Sequence, residues 1–255
     1  MTALWSTRTG PHDAPVVLLV HGGGVGAWMW RDQVAALRDR YLVITPDLPG
    51  HDHGADVPFT SADDAVAALA GLLRPVADGR EITVVGFSFG AQLAVSLAAR
   101  HPGLVSRVVV VSALTEPMPL TGPSLGLVRL TAPLGGHRWF ARLQARSMFV
   151  PDDLFDDYLR TVRSVSTADL VALLSANGAF RIPAAWSDYP GPALLLAGDR
   201  EPRALVRGMQ ALHQALPSAE LEIVPGAGHG LPLQRPGWFT ERLLGWLARE
   251  PGVPR

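Results

Sequence analysis

The chain has 255 residues, 48% hydrophobic and 18% charged, which is ample for a large core and too apolar for a disordered chain. Its 22 basic and 23 acidic residues give a net charge of −1, without a long like-charge run, so no electrostatic footprint for nucleic acid or an anionic membrane is present. The absence of cysteine excludes disulfides, thiolate metal sites and cysteine nucleophiles. The first residues, MTALWSTRTG, lack a basic stretch followed by an apolar core, and no run of 18 apolar residues occurs. Neither a signal peptide nor a transmembrane helix is therefore expected, and a cytoplasmic location is.

In chain order, residues 3–9 read as a short edge strand and Pro11 to Pro15 as a turn. VVLLV (16–20) is a continuous β-branched and leucine run, as in a strand buried on both faces, and it leads into His21-Gly22-Gly23-Gly24. Ala27 to Leu37 reads as a helix with Trp30, Val34 and Leu37 on one face. YLVIT (41–45) is a second buried strand, ending in the turn-rich PDLPGH (46–51). Ser61-x-x-Asp64 resembles a capping box and starts a helix to about Leu73.

Next comes EITVVGFSFGAQLAVSLAAR (81–100), a strand that turns directly into a helix at Gly86-Phe87-Ser88-Phe89-Gly90. Glycines at both flanks permit the close backbone approach, and the apex residue, Ser88, is held strained with its side chain outward. Val108 to Val111 is a further strand. From Leu114 to about Trp186 the chain turns proline-rich and helical, around 125–131, 138–148, 152–162 and 168–175. Strand–helix alternation then resumes, with strands at 193–197 and 221–224 and helices at 205–216 and 239–248; the tail 251–255 is expected to fray. Buried strands alternating with helices imply a mainly parallel sheet covered on both faces, with ligands outside the carboxyl ends of the strands.

A serine hydroxyl needs an adjacent base to act as a nucleophile. Among eight histidines, His229 has the best context, in the glycine-rich Pro225-Gly226-Ala227-Gly228-His229-Gly230 after the last strand. An oxyanion needs two backbone N–H donors. Phe89, following the apex serine, supplies one, and the HGGG loop supplies the other, at Gly23 in preference to Gly24. His21 is expected to orient that loop by hydrogen bonding. His51 and His53 read as loop-surface residues, and Asp47 as the stabiliser of its own turn. For the acid that orients the imidazole, Glu201, Asp199 and Glu116 compete. Leu120, Leu125, Leu127, Trp139, Phe140, Met148, Phe149 and Phe155 of the helical stretch are candidates for a substrate lining; Trp139, Phe140 and Phe149 are the substrate-binding candidates retained.

With these residues in place, the chain resembles the α/β-hydrolase superfamily over nearly its full length. The resemblance rests on VVLLVHGGG (16–24), ITPDLPGHDHG (44–54), GFSFG (86–90), LLLAGDREP (194–202) and PGAGH (225–229), in the order nucleophile, acid, histidine. It implies the α/β-hydrolase fold: a mostly parallel eight-stranded sheet, helices on both faces, and a helical cap between strands six and seven, about 114–187, with 1–113 and 188–255 as the core. By that likeness the acid falls on Glu201, where aspartate is usual, and Asp52 and His53 interrupt the usual G-H-G-x-S.

The expected activity is a cofactor-free serine hydrolase with a catalytic triad, acting on a small, fairly apolar ester, lactone or related acyl substrate through an acyl-enzyme on Ser88. Two alternatives stand beside it: a carbon–carbon or non-hydrolytic enzyme using the same pair as acid and base, and a binding protein that has lost catalysis. Gly22-Gly23-Gly24-x-Gly26 follows a strand but is not G-x-G-x-x-G, and HDHGAD (51–56) lacks zinc-site spacing, so no cofactor and no metal are expected. The only expected partner is a small-molecule substrate, with no nucleic acid and no membrane; the oligomeric state is open.

Overall fold

The computed structural model describes residues 4–118 and 121–249. Leu120 and the tail 251–255 lie outside the described residues. Seven strands, β1 (Ser6–Thr9), β2 (Val16–Val20), β3 (Leu42–Pro46), β4 (Ile82–Phe87), β5 (Arg107–Val111), β6 (Ala193–Gly198) and β7 (Glu220–Val224), form one sheet in the order β1-β3-β2-β4-β5-β6-β7. β1 runs antiparallel to β3 and every other pairing is parallel.

The expectation of eight strands is corrected to seven. Among the described residues a single short strand precedes β2, where eight would require another, so the helical stretch follows the fifth strand rather than the sixth.

The strands from β2 to β6 are buried along their whole length, so successive side chains serve opposite faces. Val16, Leu18 and Val20 pack with α2 (Ala62–Ala77), α3 (Phe89–Arg100) and α8 (Arg203–Ala215). Val17 and Leu19 pack on the other side with α1 (Arg31–Leu37) and α10 (Pro236–Leu247). This is why the runs are mostly apolar instead of alternating, with Thr45, Thr83 and Arg107 as buried exceptions. Truncating one such residue, as in Leu18→Ala, costs about 2–5 kcal/mol through lost transfer energy and the cavity left behind. The side chain of Ser61 accepts from the amide of Asp64, the N-cap that its sequence predicted.

Between β5 and β6, residues 122–188 form α4 (Gly122–Thr131), α5 (Arg138–Ser147), α6 (Phe155–Ser164) and α7 (Thr167–Ala179), joined by 3-10 turns. This segment is tied down by polar contacts to the sheet layer. Gln92 on α3 donates to the carbonyls of Leu114 and Asn177, one near each end of the segment. Arg160 of α6 grips both carboxylate oxygens of Asp52, and Asp169 of α7 accepts from the amide of Phe59. A short helix, α9 (Leu231–Gln234), follows His229.

Candidate active site

β4 ends at Phe87 and α3 starts at Phe89, so Ser88 alone makes the turn, at φ 54° and ψ −116°. This is backbone that a non-glycine residue adopts only when its surroundings impose it. The amide of Ser88 donates to the carbonyl of Val111 at 2.8 Å. A side chain at Gly86 would strike the Gly90 backbone, and one at Gly90 would strike the carbonyls of Val20 and His21. Glycine at these two places is what lets strand and helix meet around the serine.

The adjacent parallel strands bring two more loops to the same edge. After β7, the chain turns through Gly226 and presents His229, whose Nε2 lies 3.0 Å from Ser88 Oγ. After β6, Glu201 points its Oε2 at His229 Nδ1, 3.1 Å away. The acceptor-only carboxylate requires Nδ1 to carry the proton, which leaves Nε2 as the acceptor for the serine hydroxyl. Glu201 is buried, and its other oxygen, Oε1, accepts from the Gly198 amide at 2.6 Å and from the Ser112 hydroxyl at 2.7 Å.

The competing acids stand elsewhere. Glu116 is half-exposed at the surface and takes two hydrogen bonds from Arg207, which hold its carboxyl below the usual range. Asp199 accepts from the Gly226 amide and thereby shapes the loop that carries His229.

Opposite the serine lies the His21–Gly24 loop. Phe89 is the first residue of α3, so its amide is one of the N–H groups that a helix leaves unclaimed at its start. Gly23 sits under Leu173 of α7, and a Cβ there would come within 2.6 Å of Leu173 Cδ2. The loop is held by two buried imidazoles. His21 donates from Nδ1 to the Gly22 carbonyl at 2.7 Å and accepts the Leu48 amide at Nε2. His51 donates from Nδ1 to the Pro49 carbonyl and accepts the Gly24 amide at Nε2, at 3.2 Å. Burial holds each of them well below the usual imidazole range, at about 4, so both are neutral near pH 7.

His51 is thus buried instead of lying on a loop surface as expected. Sequence reading also passed over Ser112, a strand-end serine at φ 60° whose hydroxyl faces Glu201. For Ser112 the available signal was position, directly after a buried strand; His51 lies five residues beyond β3 and carried no such signal.

The substrate-lining candidates divide. A cavity of about 320 Å³ opens beside Gly24 between α4, α5, α6 and α7, and Phe140, Met148, Tyr158, Val162 and Leu174 are among its walls. Trp139 lies outside that lining, 66% exposed with its edge against Phe140, and Leu127 is exposed likewise. Phe149, at φ 58°, lies against Gly228 and Gly230 on either side of His229. Phe155 is buried in the core beneath Arg138 and Arg142.

Asp47, Asp52 and His53 bring ligand-type atoms within 4.8 Å of one another. Their charge is already met. Asp47 accepts from the amide of Ala27 and from His53, and Asp52 faces the Arg160 guanidinium. Asp47 therefore supports more than its own turn. Among the described residues, no helix is long and apolar enough to cross a membrane.

The family profile described as alpha/beta hydrolase matches residues 17–242. The chain belongs to the alpha/beta hydrolase family. This alpha/beta hydrolase is 30% identical over 247 residues to an uncharacterised protein of Mycobacterium tuberculosis, a match spanning 85% of this chain and 70% of that one. It is 28% identical over 256 residues to a carboxylesterase of Bacillus subtilis, over 94% of this chain and 82% of the other. The enol-lactonase of Burkholderia xenovorans has the same fold, with a TM-score of 0.80 at 21% identity and 96% of each chain covered.

Proposed function

We propose that this alpha/beta hydrolase is a serine hydrolase that cleaves a small, fairly apolar ester, lactone or related acyl substrate. The observation that carries the reading is the unbroken hydrogen-bond chain from Ser88 Oγ through His229 to the buried Glu201. A largely apolar cavity reaches Gly24 of the His21–Gly24 loop. His229 Nε2 takes the serine proton as Oγ attacks the carbonyl carbon. Glu201 holds the Nδ1–H tautomer and offsets the imidazolium charge. The amides of Phe89 and Gly23 receive the oxyanion.

As the tetrahedral intermediate collapses, His229 returns the proton to the leaving alcohol oxygen. Water, deprotonated by the same imidazole, then attacks the acyl-enzyme and releases the acid. The segment 114–187 acts as the cap, and its cavity takes the apolar part of the substrate. Phe149, packed beside the His229 loop, borders the reacting carbonyl. Similarity to proteins named as a carboxylesterase and an enol-lactonase supports the substrate class.

The test is turnover of a series of p-nitrophenyl and lactone substrates by the wild type and by Ser88→Ala. The reading requires ester turnover that Ser88→Ala abolishes. Retention of that turnover in Ser88→Ala would remove it.

A further inference from the structure

Gly22, Gly23 and Gly24 form a loop of three residues without side chains, which by itself has little reason to hold one conformation. Two neutral imidazoles constrain it from opposite ends. His21 fixes the Gly22 carbonyl from Nδ1, and the amide of Gly24 is fixed by Nε2 of His51. Among the described residues no hydrogen bond engages the intervening Gly23 N–H.

The two imidazoles do not hold the loop independently. Their rings are 5.2 Å apart; His21 reaches into the loop after β3 through the Leu48 amide, and His51, which belongs to that loop and is fixed there by the Pro49 carbonyl, reaches back to Gly24. Gly50, immediately before His51, is in turn packed against Asp169 of α7.

We infer that His51 is a positioning residue for the Gly23 amide, setting the angle of the proposed oxyanion donor by accepting the neighbouring Gly24 N–H. This rests on the serine-hydrolase reading above and adds to it a residue that touches neither Ser88 nor His229. An acceptor at the Nε2 position of residue 51 is the element that matters. Glutamine offers an oxygen near that point, whereas phenylalanine fills the ring volume and offers nothing.

The experiment compares His51→Gln with His51→Phe for kcat, KM and inhibition by a trifluoromethyl ketone, with circular dichroism of each variant. Labelling of wild-type Ser88 by a fluorophosphonate is measured first. If it fails, the serine-hydrolase reading falls, independently of His51.

With labelling in place, His51→Phe is expected to lose about 30-fold in kcat, a fraction of what removing a whole oxyanion donor costs. KM stays within about twofold, and ketone affinity falls in parallel with kcat because both depend on the oxyanion. His51→Gln is expected to recover most of kcat. Equal kcat in the two variants, or a loss that appears in KM alone, overturns the inference. If His51→Phe does not fold, histidine nitrogen shifts in the wild type decide: a proton on Nε2 of His51 would prevent it from accepting the Gly24 amide and would equally overturn the inference.

Discussion

The hydroxyl of Ser112 donates to Oε1 of Glu201 at 2.7 Å, so one oxygen of the carboxylate is occupied and the other is left to face His229. Ser112 does this from a left-handed backbone conformation, φ 60°, at the carboxyl end of β5. The Gly198 amide completes the grip on Oε1. Glutamate is longer than the aspartate usual at this place, and these two donors fix the extra torsion.

Removing that grip is expected to slow the reaction without weakening substrate binding. A hydrogen bond to a charged group contributes about 1.5–3 kcal/mol, so Ser112→Ala should lose on the order of tenfold in kcat. Glu201→Gln should lose about a thousandfold or more, because a neutral amide can hold the wrong tautomer. Glu116→Gln, whose partner is Arg207 at the surface, should leave kcat unchanged. Steady-state kinetics on one ester checks all three, and a Glu116→Gln loss matching that of Glu201→Gln would refute the assignment.

Acid should destabilise the fold through His21 and His51. Both are lowered from 6.5 to about 4 by burial, while the unfolded chain titrates them at the ordinary value. Between those limits the unfolded state binds more protons, so stability is complete above about pH 6.5 and declines as pH falls toward 4. His21 faces Asp47 and Asp52, and His51 faces His21, Asp47 and Asp169. Urea unfolding at pH 7 and pH 5 should differ by on the order of a few kcal/mol for the pair, less in a variant carrying His51→Gln.

The helical segment should loosen when its link to the β3 loop is cut. Arg160 holds both oxygens of Asp52, but it is about half exposed, so solvent weakens the pair. A double-mutant cycle of Arg160→Met and Asp52→Asn should give a coupling of about 1 kcal/mol in unfolding free energy. A coupling near zero would mean that the contact has no part in holding the segment.

The cavity should set acyl size. An apolar cavity of 150 Å³ takes a benzene-sized group, so about 320 Å³ takes roughly ten to twelve heavy atoms. Leu174→Trp, which narrows it, should raise KM at least about tenfold for a p-nitrophenyl octanoate while leaving the acetate within about twofold. An equal effect on both substrates would mean that the acyl group lies elsewhere.

Those features governed by local rules were readable in the sequence. The strands 16–20 and 193–198 are apolar at every position, and 82–87 at all but Thr83, because both faces are covered, and the Gly86–Gly90 turn is dictated by steric contact. All seven strands were readable as runs, β1 included as the edge strand at 3–9; the count of eight came from the family resemblance alone. His51 and Ser112 were missed for a different reason. Their burial is created by elements distant in the chain, α7 over Gly50 and the loop after β6 over Ser112, and no local pattern encodes such contacts. Trp139 illustrates the converse: its apolar character drew attention, yet α5 turns it to solvent.

The most direct measurement is the intact mass of the protein after reaction with a fluorophosphonate, followed by peptide mapping. The account predicts one phosphonyl adduct, on Ser88, and none after His229→Ala. An unmodified protein, or an adduct on any other residue, would contradict it.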